Sequence, residues 1–191
     1  LVIVASNILV QYPFKPLGLH DLLTWGAFTY PVAFFITDIT NRRYGPQKAR
    51  WIVFAGFIVA VFLSIWFATP RIAIASGTAF LTAQLIDVTI FSKLRNAKWW
   101  KAPLISSSIG SVIDTIIFFS IAFSASFVFF GSNDDFALSQ ISFFGMDFIQ
   151  VPRWFSWAVG DLVVKFIVAL ALLFPFAMIR NKIGVWKEFK I

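Results

Sequence analysis

The chain has 191 residues, of which 59% are hydrophobic and only 13% are charged, and its net charge is +7. A soluble domain carries about 25% charged residues, so this composition, with a mean hydropathy of +0.83, excludes an ordinary soluble domain. Cysteine is absent, which excludes disulfides and thiolate metal sites. The single histidine, His20, excludes a site built from several imidazoles.

Six apolar segments predict an all-α membrane protein with six spanning helices. A spanning helix needs about 20 residues, and the first segment is shorter, so we expect that its N-terminal half is missing from this sequence. No basic region precedes it, which argues against a signal peptide. The connections are too short to hold a soluble core, so residues 1–191 are predicted to form a single transmembrane domain. The segments are Leu1–Phe14, Leu23–Asn41, Trp51–Ala68, Ile72–Phe91, Ala102–Phe130 and Trp154–Ile179.

Basic residues predict how the bundle is oriented. Most lie in the connections that follow the second, fourth and sixth segments, and such connections are cytoplasmic by the positive-inside rule. Both termini are therefore predicted on the cytoplasmic side of a bacterial inner membrane. The positive charge is explained by topology, which argues against nucleic acid as a partner. These residues are Arg42, Arg43, Lys48, Arg50, Lys93, Arg95, Lys98, Lys101, Arg180, Lys182, Lys187 and Lys190.

Five ionisable residues lie inside the apolar segments: Asp38, Asp87, Asp114, Asp161 and Lys165. Each costs about 2.5–3.5 kcal/mol near the centre of a spanning helix, so such residues face the bundle interior or a water-filled cavity. Helical spacing places them with other polar residues on shared faces, and we predict that these faces converge on one cavity. The polar faces are Asn7 and Gln11; Thr37, Asp38, Asn41 and Arg42; Gln84 and Asp87; Ser107, Ser111 and Asp114; and Trp157, Asp161 and Lys165.

Purely structural roles remain open for some of these residues. Asp161 and Lys165 are four residues apart and could neutralise one another along their helix. Asp38 and Arg42 have the same spacing and could form an interfacial ion pair. The serines of the fifth segment could serve close packing between helices.

Asp87 and Asp114 are harder to explain as structure, because neither has a basic residue three or four positions away. Each needs a partner on another helix, a proton or a ligand. A carboxylate can accept the adjacent N–H and amino groups of a guanine-like edge in a fork, and Trp or Phe rings can stack on such a ring. Lys165 is the only basic residue deep in a segment, which disfavours polyanions. The residue types alone predict a small polar or heteroaromatic solute.

Five short motifs occur in order along the chain. They are Thr24-Trp25-Gly26-Ala27-Phe28, Thr37-Asp38-Ile39-Thr40-Asn41-Arg42, Gln84-Leu85-Ile86-Asp87-Val88, Trp99-Trp100-Lys101-Ala102-Pro103 and Ser111-Val112-Ile113-Asp114-Thr115. In this order and spacing the sequence resembles the queuosine precursor transporters of the vitamin uptake transporter family, over nearly the whole chain. One position departs from the pattern: some members have Asn where this chain has Ser111, and a hydroxyl reaches less far than an amide.

The resemblance implies inner-membrane uptake of 7-cyano-7-deazaguanine, and of 7-aminomethyl-7-deazaguanine as a possible second substrate, for tRNA queuosine modification. It also implies a six-helix bundle similar to the substrate-binding components of energy-coupling-factor importers, without cofactor or metal. Asp87 or Asp114 would bind the N–H and amino edge, Gln84 and Asn7 the other polar atoms, and Trp25 or a Phe would stack on the ring. The predicted substrate-binding residues are Asn7, Trp25, Asp38, Asn41, Arg42, Gln84, Asp87, Ser111, Asp114, Asp161 and Lys165.

Three other functions are alternatives to precursor uptake. An intramembrane protease is disfavoured, because Gly160-Asp161 lacks the full Gly-x-Gly-Asp motif and His20 lies in a predicted exterior loop. A substrate-capture subunit of an ATP-driven importer would need partner ATPases, since this sequence has no Walker motif. A transporter of a different vitamin or purine is the third. We expect the protein to be surrounded by the lipid bilayer. The sequence leaves open whether the protein forms a homo-oligomer.

Overall fold

The protein is described here from a computed structural model, which covers residues 5, 8–9, 12, 14–16, 25–28, 30–143 and 146–186. Most of this part of the chain is helical, as predicted. The α-helices are α1 (Tyr30–Phe67), α2 (Pro70–Leu94), α3 (Lys101–Phe123), α4 (Asp135–Leu138) and α5 (Arg153–Ile183). Two short 3-10 helices, Trp25–Phe28 and Ala125–Phe130, and two strands, β1 (Gln140–Phe143) and β2 (Met146–Pro152), complete the described elements.

Helix α1 is broken at Gly45, whose φ of 84° and ψ of 172° are not helical, and Pro46 follows directly. Unbroken, its 38 residues would extend about 57 Å at 1.5 Å per residue, well beyond the roughly 30 Å of a hydrocarbon core. The first half contacts the later part of α2, where the Asn41 amide donates to the Val88 carbonyl. The second half contacts the earlier part of α2, where Phe57 lies beside Gly77.

Three of the described helices, α2, α3 and α5, are long and apolar enough to cross a membrane. They correspond to the fourth, fifth and sixth predicted segments. The halves of α1 correspond to most of Leu23–Asn41 and to Trp51–Ala68. The first segment, Leu1–Phe14, lies mostly outside the described residues. The complete six-helix bundle and its similarity to energy-coupling-factor components therefore stay predictions.

The chain between α3 and α5 differs from the prediction. The fifth segment was expected to continue to Phe130, but α3 ends at Phe123 and Ser124 is extended, with φ −68° and ψ 136°. The Ser124 hydroxyl accepts a hydrogen bond from the Ser126 amide, which starts the 3-10 helix. The Phe-rich sequence here continues the apolar composition without continuing the α-helix. Strands β1 and β2 then pair as an antiparallel hairpin, which the all-α prediction did not include.

The interior of the bundle is apolar towards one end of α3 and polar in its middle. Phe118, Phe119 and Phe123 pack there with Trp157 of α5. Near its middle, α3 approaches the other helices closely at Gly110, where an added Cβ would lie 2.6 Å from the Phe34 ring. Small residues allow such close packing in membranes, and they bring the polar faces of α1, α2 and α3 together.

Candidate functional site

A pair of buried carboxyl groups lies where α1, α2 and α3 meet. Asp38 of α1 is 2% exposed and Asp87 of α2 is fully buried. The two carboxyl groups are close enough to interact electrostatically, and Asp87 also lies near Ser106. Asp38 contacts two hydroxyls of α3, with Ser106 Oγ 3.4 Å from Oδ1 and Ser107 Oγ donating to Oδ2 at 3.3 Å. We call Asp38 and Asp87 the carboxyl pair.

Gln84 lies one turn before Asp87 on α2 and is likewise fully buried. Within the described part of the chain, the amide nitrogen and oxygen of Gln84 and both Asp87 oxygens make no hydrogen bond of normal geometry. A buried polar group without a partner costs about 1–3 kcal/mol. Four such atoms on one helix face therefore form a set of unused donors and acceptors.

A small cavity adjoins Asp38 between α1, α3 and α5. Its volume is about 20 Å³, which is room for about one water molecule. A ring-sized solute can enter only if the helices separate further, and α1 and α5 each supply four of the lining residues. The cavity is lined by Pro31, Phe34, Phe35, Asp38, Pro103, Ser107, Ser111, Ala169, Leu172, Leu173 and Phe176.

A second buried cluster, the ion-pair network, joins α3 to α5. Lys165 Nζ is 2.7 Å from an Asp114 oxygen and 2.5 Å from an Asp161 oxygen. It also donates to Thr115 Oγ1 at 3.1 Å, and the Thr115 hydroxyl donates to Asp161 at 2.8 Å. Asp114 is seven residues after Ser107, which is about 10 Å along α3. The network is therefore at a different depth from the carboxyl pair.

The ion-pair network shows which partners Asp114, Asp161 and Lys165 have, a question that the sequence left open. Asp161 and Lys165 do neutralise one another along their helix, and Lys165 in addition pairs with Asp114. Asp114 thus has the partner on another helix that its position required. Asp87 has no such cation among the described residues, which makes it the stronger candidate for binding a ligand.

Asn41 and Arg42 connect helices in this structure. The Asn41 amide donates to a backbone carbonyl of α2 at 2.9 Å, and its oxygen accepts from Arg95. Arg42 donates to the Arg180 carbonyl of α5 at 3.3 Å. The Asp38–Arg42 ion pair, one of the open readings, is not formed among the described residues, because the partners of Asp38 are hydroxyls and Asp87.

The remaining predicted residues fall in different places. Ser111 lines the cavity. Trp25 is 41% exposed and packs in an aromatic cluster with Phe14 and Phe28, apart from the cavity lining. Asn7 lies outside the described residues. The rings that do line the cavity, such as Phe34 and Phe176, were not singled out from the sequence, since it contains 25 Phe without a distinguishing motif.

Comparison with known proteins identifies the family. The family model described as "Putative vitamin uptake transporter" matches residues 24–69 and 64–179. The chain is 33% identical to the "Queuosine precursor transporter" of Escherichia coli K12 over 196 residues, covering 92% of this chain and 79% of that protein. It is 37% identical to the "Probable queuosine precursor transporter" of Haemophilus influenzae over 155 residues, covering 64% and 65%. No solved structure matches significantly. The chain belongs to the vitamin uptake transporter family, whose members are transporters and not enzymes.

Proposed function

We propose that this protein imports the queuosine precursors 7-cyano-7-deazaguanine and 7-aminomethyl-7-deazaguanine across the bacterial inner membrane, with both termini in the cytoplasm. The names of the relatives from Escherichia coli and Haemophilus influenzae support precursor transport. The buried polar groups of the bundle support the class of substrate.

The observation that carries this proposal is the set of polar atoms on Gln84 and Asp87 that have no hydrogen-bond partner in the described part of the chain. A deazaguanine presents an N–H beside an amino group, and the Asp87 carboxylate can accept both in a fork. The Gln84 carboxamide can donate to the ring carbonyl oxygen and accept from an N–H group. The substrate thus supplies the donors and acceptors that these buried groups lack.

The cavity next to Asp38 is the proposed place for the ring. Phe34 and Phe176 lie on its wall and offer aromatic faces for stacking. Because it holds only about one water molecule, α5 must move away from α1 and α3 to admit the substrate. Pro175 lies inside α5, and a proline removes a helical hydrogen bond and permits a bend at that point. Alternating access around this cavity is the proposed mechanism.

The Asp87→Asn variant tests the site. It keeps the size of the side chain and removes the charge, so we expect the affinity for 7-cyano-7-deazaguanine to fall about 10- to 100-fold, the usual effect of losing hydrogen bonds to a charged group. Uptake of the labelled precursor into liposomes containing only the purified protein measures this, with guanine as competitor. Asp135→Asn, an exposed carboxyl outside the site, is the control and should behave as the parent.

Each outcome has a distinct meaning. Parental uptake by the Asp87→Asn variant would refute the role of Asp87. Binding without uptake by the parent would show a substrate-capture subunit that needs an ATPase partner. If the parent neither binds nor transports the precursor, the substrate assignment is wrong.

A further inference from the structure

The end of α5 is fastened to the break in α1. After Ile183 the chain leaves the helix and passes beside Gly45, the residue at which α1 is interrupted. There the Trp186 backbone N–H donates a hydrogen bond to the Arg42 carbonyl oxygen at 2.8 Å. We call residues 183–186 the latch, because their contacts join the end of α5 to α1.

The Trp186 ring occupies the space that Gly45 leaves open. A Cβ added at Gly45 would lie 2.7 Å from ring atom Cε2, and the φ of 84° at this position is one that L side chains rarely adopt. The Arg95 guanidinium of α2 lies 4.9 Å from the centre of the same ring, which is a cation–π contact. The Arg43 guanidinium donates to the Ile183 carbonyl oxygen at 2.8 Å. The latch therefore joins α5 to both α1 and α2.

Arg42 connects the latch to the wall of the cavity. Its guanidinium lies 5.9 Å from the centre of the Phe176 ring, which lines the cavity, and it donates to the Arg180 carbonyl oxygen at 3.3 Å. The backbone carbonyl of Arg42 is also the acceptor for the Trp186 N–H. A solute that leaves the cavity at this end has to pass between α1 and α5, which these contacts hold together.

Helix α5 can move at this end while its buried ion pair stays intact. Lys165 holds α5 to Asp114 of α3, and Pro175 lies between Lys165 and the latch. Sharp bends of helices occur most often at proline. The latch contacts are few, and the Arg43 hydrogen bond is exposed, so water can replace it when it breaks. The end of α5 can therefore swing away from α1 about Pro175.

Resting on the function proposed above, we propose that the latch is the gate of the cytoplasmic exit and that Trp186 closes it. While Trp186 lies against Gly45, the cavity can open only towards the outer side of the membrane. When Trp186 leaves Gly45, the end of α5 separates from α1 and the substrate passes to the cytoplasm. Trp186 acts on the movement of α5 and touches no residue of the cavity lining that binds the substrate.

Thiol labelling tests the gate without any substrate, because the chain contains no cysteine. Ser111→Cys places one thiol in the cavity wall at a position that is 1% exposed, so a membrane-impermeant thiol reagent reaches it only when the cavity opens. Inside-out vesicles present the cytoplasmic face to the reagent, and right-side-out vesicles present the outer face. Adding Trp186→Ala should raise the labelling rate about tenfold from the cytoplasmic face alone, the factor expected for losing contacts of this strength.

Trp66→Ala is the matched control, since Trp66 is 76% exposed on the other half of α1. Added to Ser111→Cys, it should leave labelling from both faces unchanged. If Trp186→Ala folds poorly, Arg43→Met removes only the hydrogen bond to the Ile183 carbonyl and should raise labelling from the cytoplasmic face about twofold.

Three results would overturn the gate. They are unchanged labelling of folded Trp186→Ala and Arg43→Met proteins, an equal rise from both faces, which would show general loosening, and a rise from the outer face alone. The labelling needs no precursor, so it is independent of the substrate assignment. A protein that shows the expected labelling but neither binds nor transports 7-cyano-7-deazaguanine would confirm the gate and refute the proposed function.

Discussion

Replacing Lys165 with Met is expected to destabilise the folded bundle by about 3–5 kcal/mol, the usual effect of removing one partner from a buried ion pair. Lys165 is 3% exposed and is the only cation of the ion-pair network among the described residues. Methionine fills a similar volume, so the loss comes from Asp114 and Asp161, which would remain as buried carboxylates without a cation. Thermal unfolding in detergent should show a midpoint lowered by about 6–20 °C for a protein of this size.

Two further variants make the Lys165 result specific. Adding Asp114→Asn and Asp161→Asn to Lys165→Met removes the unbalanced charges, so most of the lost stability should return. Lys182→Met, an exposed basic residue on the same helix, should change stability by no more than about 0.5 kcal/mol. A Lys165→Met protein that unfolds at the parental temperature would show that the network contributes little to the fold.

Replacing Arg71 with Met is expected to cost about 3–4 kcal/mol, because buried hydrogen bonds to a charged group contribute about 1.5–3 kcal/mol each and are not fully additive. Arg71 lies in the first turn of α2 and is 4% exposed. Its guanidinium ties the end of α3 and the chain that follows to α2. The acceptors are the carbonyl oxygens of Ile121, Ser124, Gly131 and Ser132 and the side-chain oxygen of Asn133.

Hydrogen exchange should place the effect of Arg71→Met in residues 121–133, where backbone amides would exchange faster than in the parent. Arg71→Lys is the informative comparison, since it keeps the charge but lacks the planar fork that reaches several acceptors. We expect it to recover less than half of the lost stability. Full recovery with Lys would mean that charge alone matters. Arg50→Met, an exposed arginine on α1, should have little effect.

The sequence predicted best what depends on neighbours along one helix. The spans that became α2, α3 and α5 follow from apolar length, and the shared face of Gln84 and Asp87 follows from their spacing of three residues. The same spacing rule made the Asp161–Lys165 pair one of the alternatives that the sequence left open, and the structure shows it. Helical periodicity carries this information because residues three and four apart always face the same way.

Contacts between helices could not be predicted in this way. The pairing of Asp114 with Lys165, 51 residues later, depends on how α3 and α5 rotate against each other. Arg71 falls between the third and fourth predicted segments, and its buried role could not be predicted because most of its acceptors are backbone carbonyls, which have no signature in sequence. The β-hairpin was missed because its residues follow a Phe-rich run that resembled a continuing span.

The ion-pair network also bears on how the chain is made. Asp161 and Lys165 lie one turn apart on α5, so this helix enters the membrane during translation with its own charges already matched. Helix α3 is synthesised earlier and carries Asp114 before Lys165 exists. A single Asp at a helix centre costs about 2.5–3.5 kcal/mol on insertion, which the apolar remainder of α3 must offset until α5 arrives. Chains that terminate before α5 would lack Lys165, the cation that pairs with this carboxylate in the complete bundle.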